Sequence, residues 1–329
     1  MLAFVAHGAE EGPATQGMDM RFATVALTGL ALAGCSVSTT QDRAPWRPVP
    51  IAGATEPSEV IAGSTASDWQ EIPPENLMVM ELGDGGRVII QLAPEFAPVH
   101  VANMRAFARG GWWNNATVYR VQDNYVAQWG NGDAEVALPA GVVQRPPAEY
   151  ERPLTGLQIL DLAYPDPYAG TVGYSSGWPV AFDRAANLAW LPHCYGSVGV
   201  GRDLAPDTGT GGELYAVIGH APRHLDRNIA NVGRVIEGMA YLSARPRGTG
   251  NLGFYQVDRG ETPVPIRSIR LASDMPSAER PRFEAMRTDT LAFNNYIRGR
   301  ANRGGTFFNR AAGGVDICNA AVPVRRKGS

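Results

Sequence analysis

The chain has 329 residues, of which 44% are hydrophobic, 9% aromatic and 19% charged; this globular composition excludes a wholly disordered or fibrous protein. The formal net charge of -3 excludes a strong bulk field drawing the chain to nucleic acid or anionic lipid. The 38 glycines and 25 prolines favour many turns over long helices.

In chain order, the first readable element is a targeting segment. Arg21 precedes an apolar run, Phe22 to Gly34, that ends in small residues and Cys35. This is the layout of a secretory signal, too short for a stable transmembrane helix. Leu32-Ala33-Gly34-Cys35 resembles the bacterial lipobox, in which the Cys becomes the first mature residue and carries lipid. With Ser36 behind it, the resemblance implies an outer-membrane lipoprotein of the cell envelope, facing the periplasm. Residues 1–35 are read as signal and lipobox. Glu10 and Glu11 stand where a signal is basic, so Met18 or Met20 is the expected start and residues 1–17 fall outside the working protein. Export implies an oxidising compartment. Cys194 and Cys318 then form an even pair, and a disulfide is expected between them, with two buried thiols as the other reading.

Residues 36–70 are rich in Pro, Ser, Thr, Ala and Gly and read as a flexible tether. The domain is assigned to 71–275. Leu77–Leu82 and Arg87–Leu92 flank Gly83-Asp84-Gly85-Gly86, a hairpin signal. Val101, Met104, Phe107 and Ala108 predict a helix over Pro98–Arg109, stopped by Gly110-Gly111. Two short strands are expected between Ala116 and Gln128. Residues 131–193 carry many prolines and read as long loops with short elements. Ser197–Gly201, Leu214–Ile218, Val232–Val235 and Ile266–Leu271 are further strands, and Ile236–Ala244 suggests a second helix. Strands outnumber helices without βα alternation, so a closed antiparallel barrel or sandwich with two covering helices is expected. Beyond it, Phe283, Met286, Phe293, Tyr296 and Ile297 predict one amphipathic helix packing on the core. Residues 276–329 hold ten Arg or Lys and four Asp or Glu, and this basic tail reads as solvated.

Chemistry-bearing motifs are mostly lacking. The sequence has no HExxH, CxxC or Walker loop, so no metal or cofactor is expected. His193 next to Cys194 invites a thiol nucleophile, but nothing in the sequence lowers that thiol's pKa.

The informative stretch is Val118-Tyr-Arg-Val-Gln-Asp-Asn-Tyr-Val-Ala-Gln-Trp-Gly130. It resembles the central motif of the cyclophilins, the peptidyl-prolyl isomerases: an Arg, an aromatic and an apolar residue five and six positions on, and a Gln eight positions on. Here these are Arg120, Tyr125, Val126 and Gln128. Flanking blocks also resemble the family: Glu95–Pro98 with Val101–Asn103, Gly110–Trp113, Gly196–Val200, Leu214–Ile218, Leu225-Asp226 and Val232–Met239. Together they cover residues 77–273, with an insertion at 131–195.

The resemblance implies a mainly β, closed antiparallel cyclophilin-like barrel, to which the chain adds a long loop insertion and a C-terminal helix in a basic tail, 276–329. It implies peptidyl-prolyl isomerisation, with proline-containing polypeptides as partners, no cofactor and no nucleic acid. A monomer is expected, held to the membrane by its lipid. Arg120 is the implied donor to the prolyl nitrogen. Tyr125, Val126, Tyr215 and Leu225 line the proline cup, Gly201 lies at its rim, and Gln128 holds Arg120 or contacts peptide. The chain departs from the family at several positions. Glu213 replaces the usual Gln and is expected to pair with Arg120, in competition with substrate. His224 replaces Trp, Ile229 replaces His, Val232 and Tyr215 replace Phe, and Val126 replaces Met. A proline-peptide binding module with little catalysis and an envelope scaffold protein are the competing readings.

Overall fold

The computed structural model describes residues 53–132, 136–304 and 306–328. The apolar run, Cys35 and residues 36–52 of the expected tether lie outside the described residues. Eight antiparallel strands close a barrel: β1 (Leu77–Leu82), β2 (Arg87–Leu92), β3 (Thr117–Val121), β4 (Val126–Gly130), β5 (Ser197–Val200), β6 (Leu214–Val217), β7 (Asn231–Glu237) and β8 (Val264–Leu271). Their order round the barrel is β5-β6-β4-β3-β8-β1-β2-β7, with β7 returning to β5.

The strand pattern accounts for both faces of the wall. Met78, Met80, Leu82, Val88, Ile90 and Leu92 point into the main core, where Val101, Met104 and Phe107 of the Pro98–Arg109 helix also pack. Leu77, Val79 and Ile89 point outward, yet they are buried too, under Met275, Phe283 and Ala285. Strands covered on both sides read as continuous apolar runs rather than alternating ones. The outer cover is a three-stranded sheet in which Phe283–Met286 lies between Trp69–Glu71 and Val324–Arg326.

Several expectations are corrected here. The fold begins before residue 70: the Pro57–Ala62 helix packs on the Leu291–Ala301 helix, with Val60 and Ile61 against its apolar cluster. Phe283 and Met286 lie in a strand, and only Phe293, Tyr296 and Ile297 sit on the tail helix. The second covering helix shrinks to one turn, Ala240–Ser243, because β7 runs on to Glu237.

The short elements of the insertion join into a five-stranded sheet. Its order is Arg152–Pro153, Leu188–Trp190, Trp178–Asp183, Thr171–Ser175 and Leu160–Leu162. One face packs Val172, Tyr174 and Trp190 on Phe293, Tyr296 and Ile297 of the tail helix. The other packs Trp178, Val180 and Phe182 on Ala93 and Phe96 beside the barrel. Insertion and tail thus form one added layer, joined to each other by a Cys194–Cys318 disulfide at the insertion's last residues before the barrel strand β5. Glu149 of the insertion accepts from the Val99 and His100 backbone N–H groups, both at 2.9 Å. It thereby satisfies donors that the first turn of a helix leaves open. Among the described residues every apolar cluster lies between Val60 and Val324, so residues 36–329 contain all of these clusters.

Nor is the basic tail simply solvated. Arg282 and Lys327 pair with Glu71, Arg325 with Glu284, Arg326 with Glu237 and Arg287 with Asp289.

Candidate active site

Arg120 sits on β3, opposite Gln128 on β4. Neighbouring side chains on a regular strand point to opposite faces. Here the β3–β4 register shifts between Val118 and Arg120, and a bulge of this kind re-aims side chains. Both Tyr119 and Arg120 therefore reach the same Gln128. Arg120 Nη1 donates to Gln128 Oε1 at 2.9 Å, Gln128 Nε2 to the Tyr119 hydroxyl at 2.6 Å, and that hydroxyl to Glu213 Oε2 at 2.6 Å. Gly132 N–H closes the chain on Glu213 Oε1 at 3.1 Å.

The expected Glu213–Arg120 pair does not form, because Gln128 and Tyr119 stand between them. Burial raises the Glu213 carboxyl above its ordinary value. Burial also raises the Tyr119 phenol, with the nearby Glu213 charge adding to it, so the phenol keeps its proton and donates. Gly130 is required at its position: a Cβ there would lie 1.8 Å from Glu213 Oε2.

Two more bonds clamp the guanidinium. Nε donates to the Leu252 carbonyl at 2.7 Å and Nη2 to Gln122 Oε1 at 2.5 Å. The Phe254 and Tyr125 rings lie 5.4 and 6.0 Å from its central carbon, within cation–π range. Leu252 and Phe254 belong to a loop that runs along β3, with Gly248 N bonded to Val121 O and Tyr255 N to Tyr119 O. Leu252 holds φ +55°, a left-handed conformation that costs a non-glycine residue about 1–2 kcal/mol. Sequence reasoning missed Tyr119, Gln122, Leu252 and Phe254. The available signal was Gly248, Gly250 and Gly253 at close spacing: a Cβ on Gly253 would lie 2.5 Å from Gln122 Cα.

Beside Arg120 lies a small apolar cluster separate from the barrel core. Val126, Tyr215 and Val217 are buried in it, with Tyr125, Leu225 and Ile229 half-buried around them. The four expected cup residues are therefore together. The Tyr215 ring covers Gly199, where a Cβ would meet it at 2.3 Å, and burial drives its phenol well above the ordinary value. Gly201 lies at the rim: a Cβ there would come within 3.1 Å of Glu213 Cβ and 3.3 Å of Gln128 Nε2. His224 is exposed and stacks on Tyr125, with ring centroids 5.9 Å apart. Behind it opens a cleft of about 580 Å³, walled by Tyr150, Glu151, Tyr168 and Arg227.

The turn carrying His224 and Leu225 is braced from below. Buried Arg223 donates to Asp226 Oδ2 at 2.5 Å and to Asp166 of the insertion at 2.8 and 3.0 Å. Asp226 also accepts from the His193 backbone N–H at 2.8 Å. Cys194 is taken by the disulfide, so it is no nucleophile. Among the described residues no cluster of His, Cys, Asp or Glu could hold a metal ion.

The antiparallel barrel with a buried apolar cup beside a clamped arginine defines a proline-handling isomerase scaffold. The family model "Cyclophilin type peptidyl-prolyl cis-trans isomerase/CLD" matches residues 77–270, and the chain belongs to this family of peptidyl-prolyl cis-trans isomerases. Two proteins named "Probable peptidyl-prolyl cis-trans isomerase", from Brucella suis and Brucella abortus, are 26% and 25% identical to it over 176 residues. Each match covers 54% of this chain and 74% of the relative. The crystal structure of cyclophilin AquaCyp293 from Hirschia baltica superposes with a TM-score of 0.64 at 24% identity. That match covers 82% of this chain and 96% of the other, so the likeness in fold extends well beyond the barrel.

Proposed function

We propose that the chain isomerises X–Pro bonds of extended polypeptides in the bacterial cell envelope, with Arg120 as the catalytic donor. The X–Pro bond turns slowly because amide resonance sets a barrier of about 18–20 kcal/mol. Twisting the amide breaks that resonance and leaves a lone pair on the prolyl nitrogen. A donor aimed there binds the twisted state more strongly than the planar one, and such differential binding is catalysis. A guanidinium suits this role because it is planar and permanently charged.

The observation that carries the assignment is Arg120 itself, clamped at the edge of the Val126–Tyr215–Val217 cluster. Tyr125, Val126, Tyr215 and Leu225 receive the pyrrolidine ring, and Gly201 and His224 border the path of the flanking peptide. Gln128 positions Arg120 directly, and Glu213 does so through Tyr119 and Gln128. The lipobox-like Cys35, Ser36 and the disulfide support an exported, lipid-held location.

The test is cis/trans exchange of a short X–Pro peptide, followed by NMR with residues 36–329. The parent accelerates exchange. Arg120→Ala lowers kcat/KM by about 10²–10³-fold, the scale for losing one transition-state donor, and leaves thermal stability unchanged. Equal rates in both proteins would overturn the assignment, and peptide binding without acceleration would reduce the chain to a proline-binding module. Fractionation and mass analysis of cells making the wild type and Cys35→Ala test the anchor: the wild type is expected with the outer membrane, starting at a lipidated Cys35, and the variant without lipid and lost from the outer membrane.

A further inference from the structure

The tail's cations fall into two groups. Arg282, Arg287, Arg325, Arg326 and Lys327 are neutralised by carboxylates. Arg280 and Arg300 donate to backbone carbonyls. Arg298, Arg303 and Arg310 are exposed and pair with no carboxylate among the described residues. Between Arg298 and Arg310 the sequence carries four arginines and no Asp or Glu.

The same stretch exposes an aromatic pair. Phe307 is 85% exposed and Phe308 37%. Their rings meet edge to face at 5.0 Å, and the Arg303 guanidinium stands 5.8 Å from the Phe308 ring. Exposed phenylalanines touching each other, with Arg303 over one ring and Arg298 and Arg310 near in sequence, are out of place facing water. They suit the boundary between acyl chains and anionic headgroups, where rings bury and cations find phosphate.

The chain's own route points to the same face. Gly304 N–H donates to Glu56 Oε1 at 3.0 Å, and a Cβ on Gly299 would lie 2.4 Å from the Thr55 carbonyl oxygen. The N-terminal segment thus enters the fold against the tail helix, at Gly299 and at Gly304, the latter three residues before the aromatic pair in sequence. Seventeen residues, 36–52, separate Cys35 from Gly53, eighteen steps with a reach of at most about 65 Å. A single lipid signal gains much from a second, basic one.

We propose that Phe307, Phe308, Arg298, Arg303 and Arg310 form a docking face for an anionic lipid bilayer. The inference rests on the envelope-anchor reading for its biological setting, but the surface itself is testable without the lipid. The experiment is co-sedimentation of residues 36–329 with phosphatidylethanolamine vesicles containing phosphatidylglycerol, and with phosphatidylcholine vesicles. Binding to the anionic vesicles alone is expected, weakening as salt shortens the Debye length. Phe307→Ser with Phe308→Ser is expected to reduce it at least tenfold while leaving X–Pro exchange in solution unchanged. Absence of binding, or equal binding by the double variant, would overturn the proposal. So would an oligonucleotide that binds more tightly than vesicles and is released by Arg303→Ala and Arg310→Ala but not by the Phe changes. If the wild type fractionates as soluble in cells while the vesicle result holds, the anchor reading fails and the docking face stands.

Discussion

Arg120 spends three of the five N–H groups of a guanidinium on Leu252, Gln128 and Gln122. The other two are the ones the proposed donor role would use. Fixing the head group this way removes rotamer freedom before a peptide arrives, which is what preorganisation means for a transition-state donor. The hydrogen bonds run one way, from Arg120 through Gln128 and Tyr119 to Glu213, so the carboxylate terminates a polarised row beneath the guanidinium. Glu213 is raised by burial and partly brought back by the Tyr119 hydroxyl. A carboxyl raised on folding adds stability below its unfolded value near 4.5, and that contribution is lost as pH rises through the folded value. Tyr119→Phe deletes the compensating donor. We expect the Glu213 titration midpoint, followed by carboxyl ¹³C NMR, to move upward in this variant. X–Pro exchange is expected to fall by about tenfold or less, because Gln128 still faces Arg120; an unmoved midpoint would remove Tyr119 from the row.

At the scale of elements, the insertion is tied to the cup through one buried ion cluster. Arg223, Asp166 and Asp226 are each no more than 5% exposed at the side chain. Arg223→Ala would strand two carboxylates away from water, a change that costs about 3–5 kcal/mol. Urea denaturation should show that loss, and KM should rise as the His224–Leu225 turn loosens. A loss under about 1 kcal/mol would mean that water already reaches the pair. This brace was invisible in the sequence because Asp166 and Arg223 lie 57 positions apart. What was legible was local: the β1–β2 hairpin around Gly83–Gly86 and the Pro98–Arg109 helix appear at the expected positions. The insertion sheet was hidden by Pro179, whose presence argues against a strand that in fact has partners on both sides. Its turn, Ser176-Gly177, with φ +49° and +81°, was the overlooked hairpin signal. Phe283 and Met286 fitted a helical spacing, but their strand partners lie more than 200 residues back and about 40 ahead, beyond any local pattern. Arg120, Gln128 and the cup were reachable by family resemblance, whereas the clamp from Leu252 and Phe254 depends on a loop closing over β3.

Over the whole molecule, barrel, insertion and tail share their apolar clusters, and the disulfide links positions 124 residues apart. Replacing Cys194 and Cys318 by Ser should lower stability by about 2–5 kcal/mol, read as a shift in denaturant midpoint, with exchange activity retained. An unchanged midpoint would mean that packing alone holds the tail. The closed barrel has a further consequence if the substrates are extended polypeptides, as proposed. An open sheet edge is a template on which an extended polypeptide can add as another strand, and repeated addition is aggregation. Here every barrel strand has neighbours on both sides. Among the described residues the edges that remain, Arg152–Pro153, Leu160–Leu162, Trp69–Glu71 and Val324–Arg326, are two or three residues long; one contains a proline and another two arginines. On the proposed isomerase reading, a client gripped by side chains at the cup meets, among the described residues, no open strand edge longer than three residues on which to add.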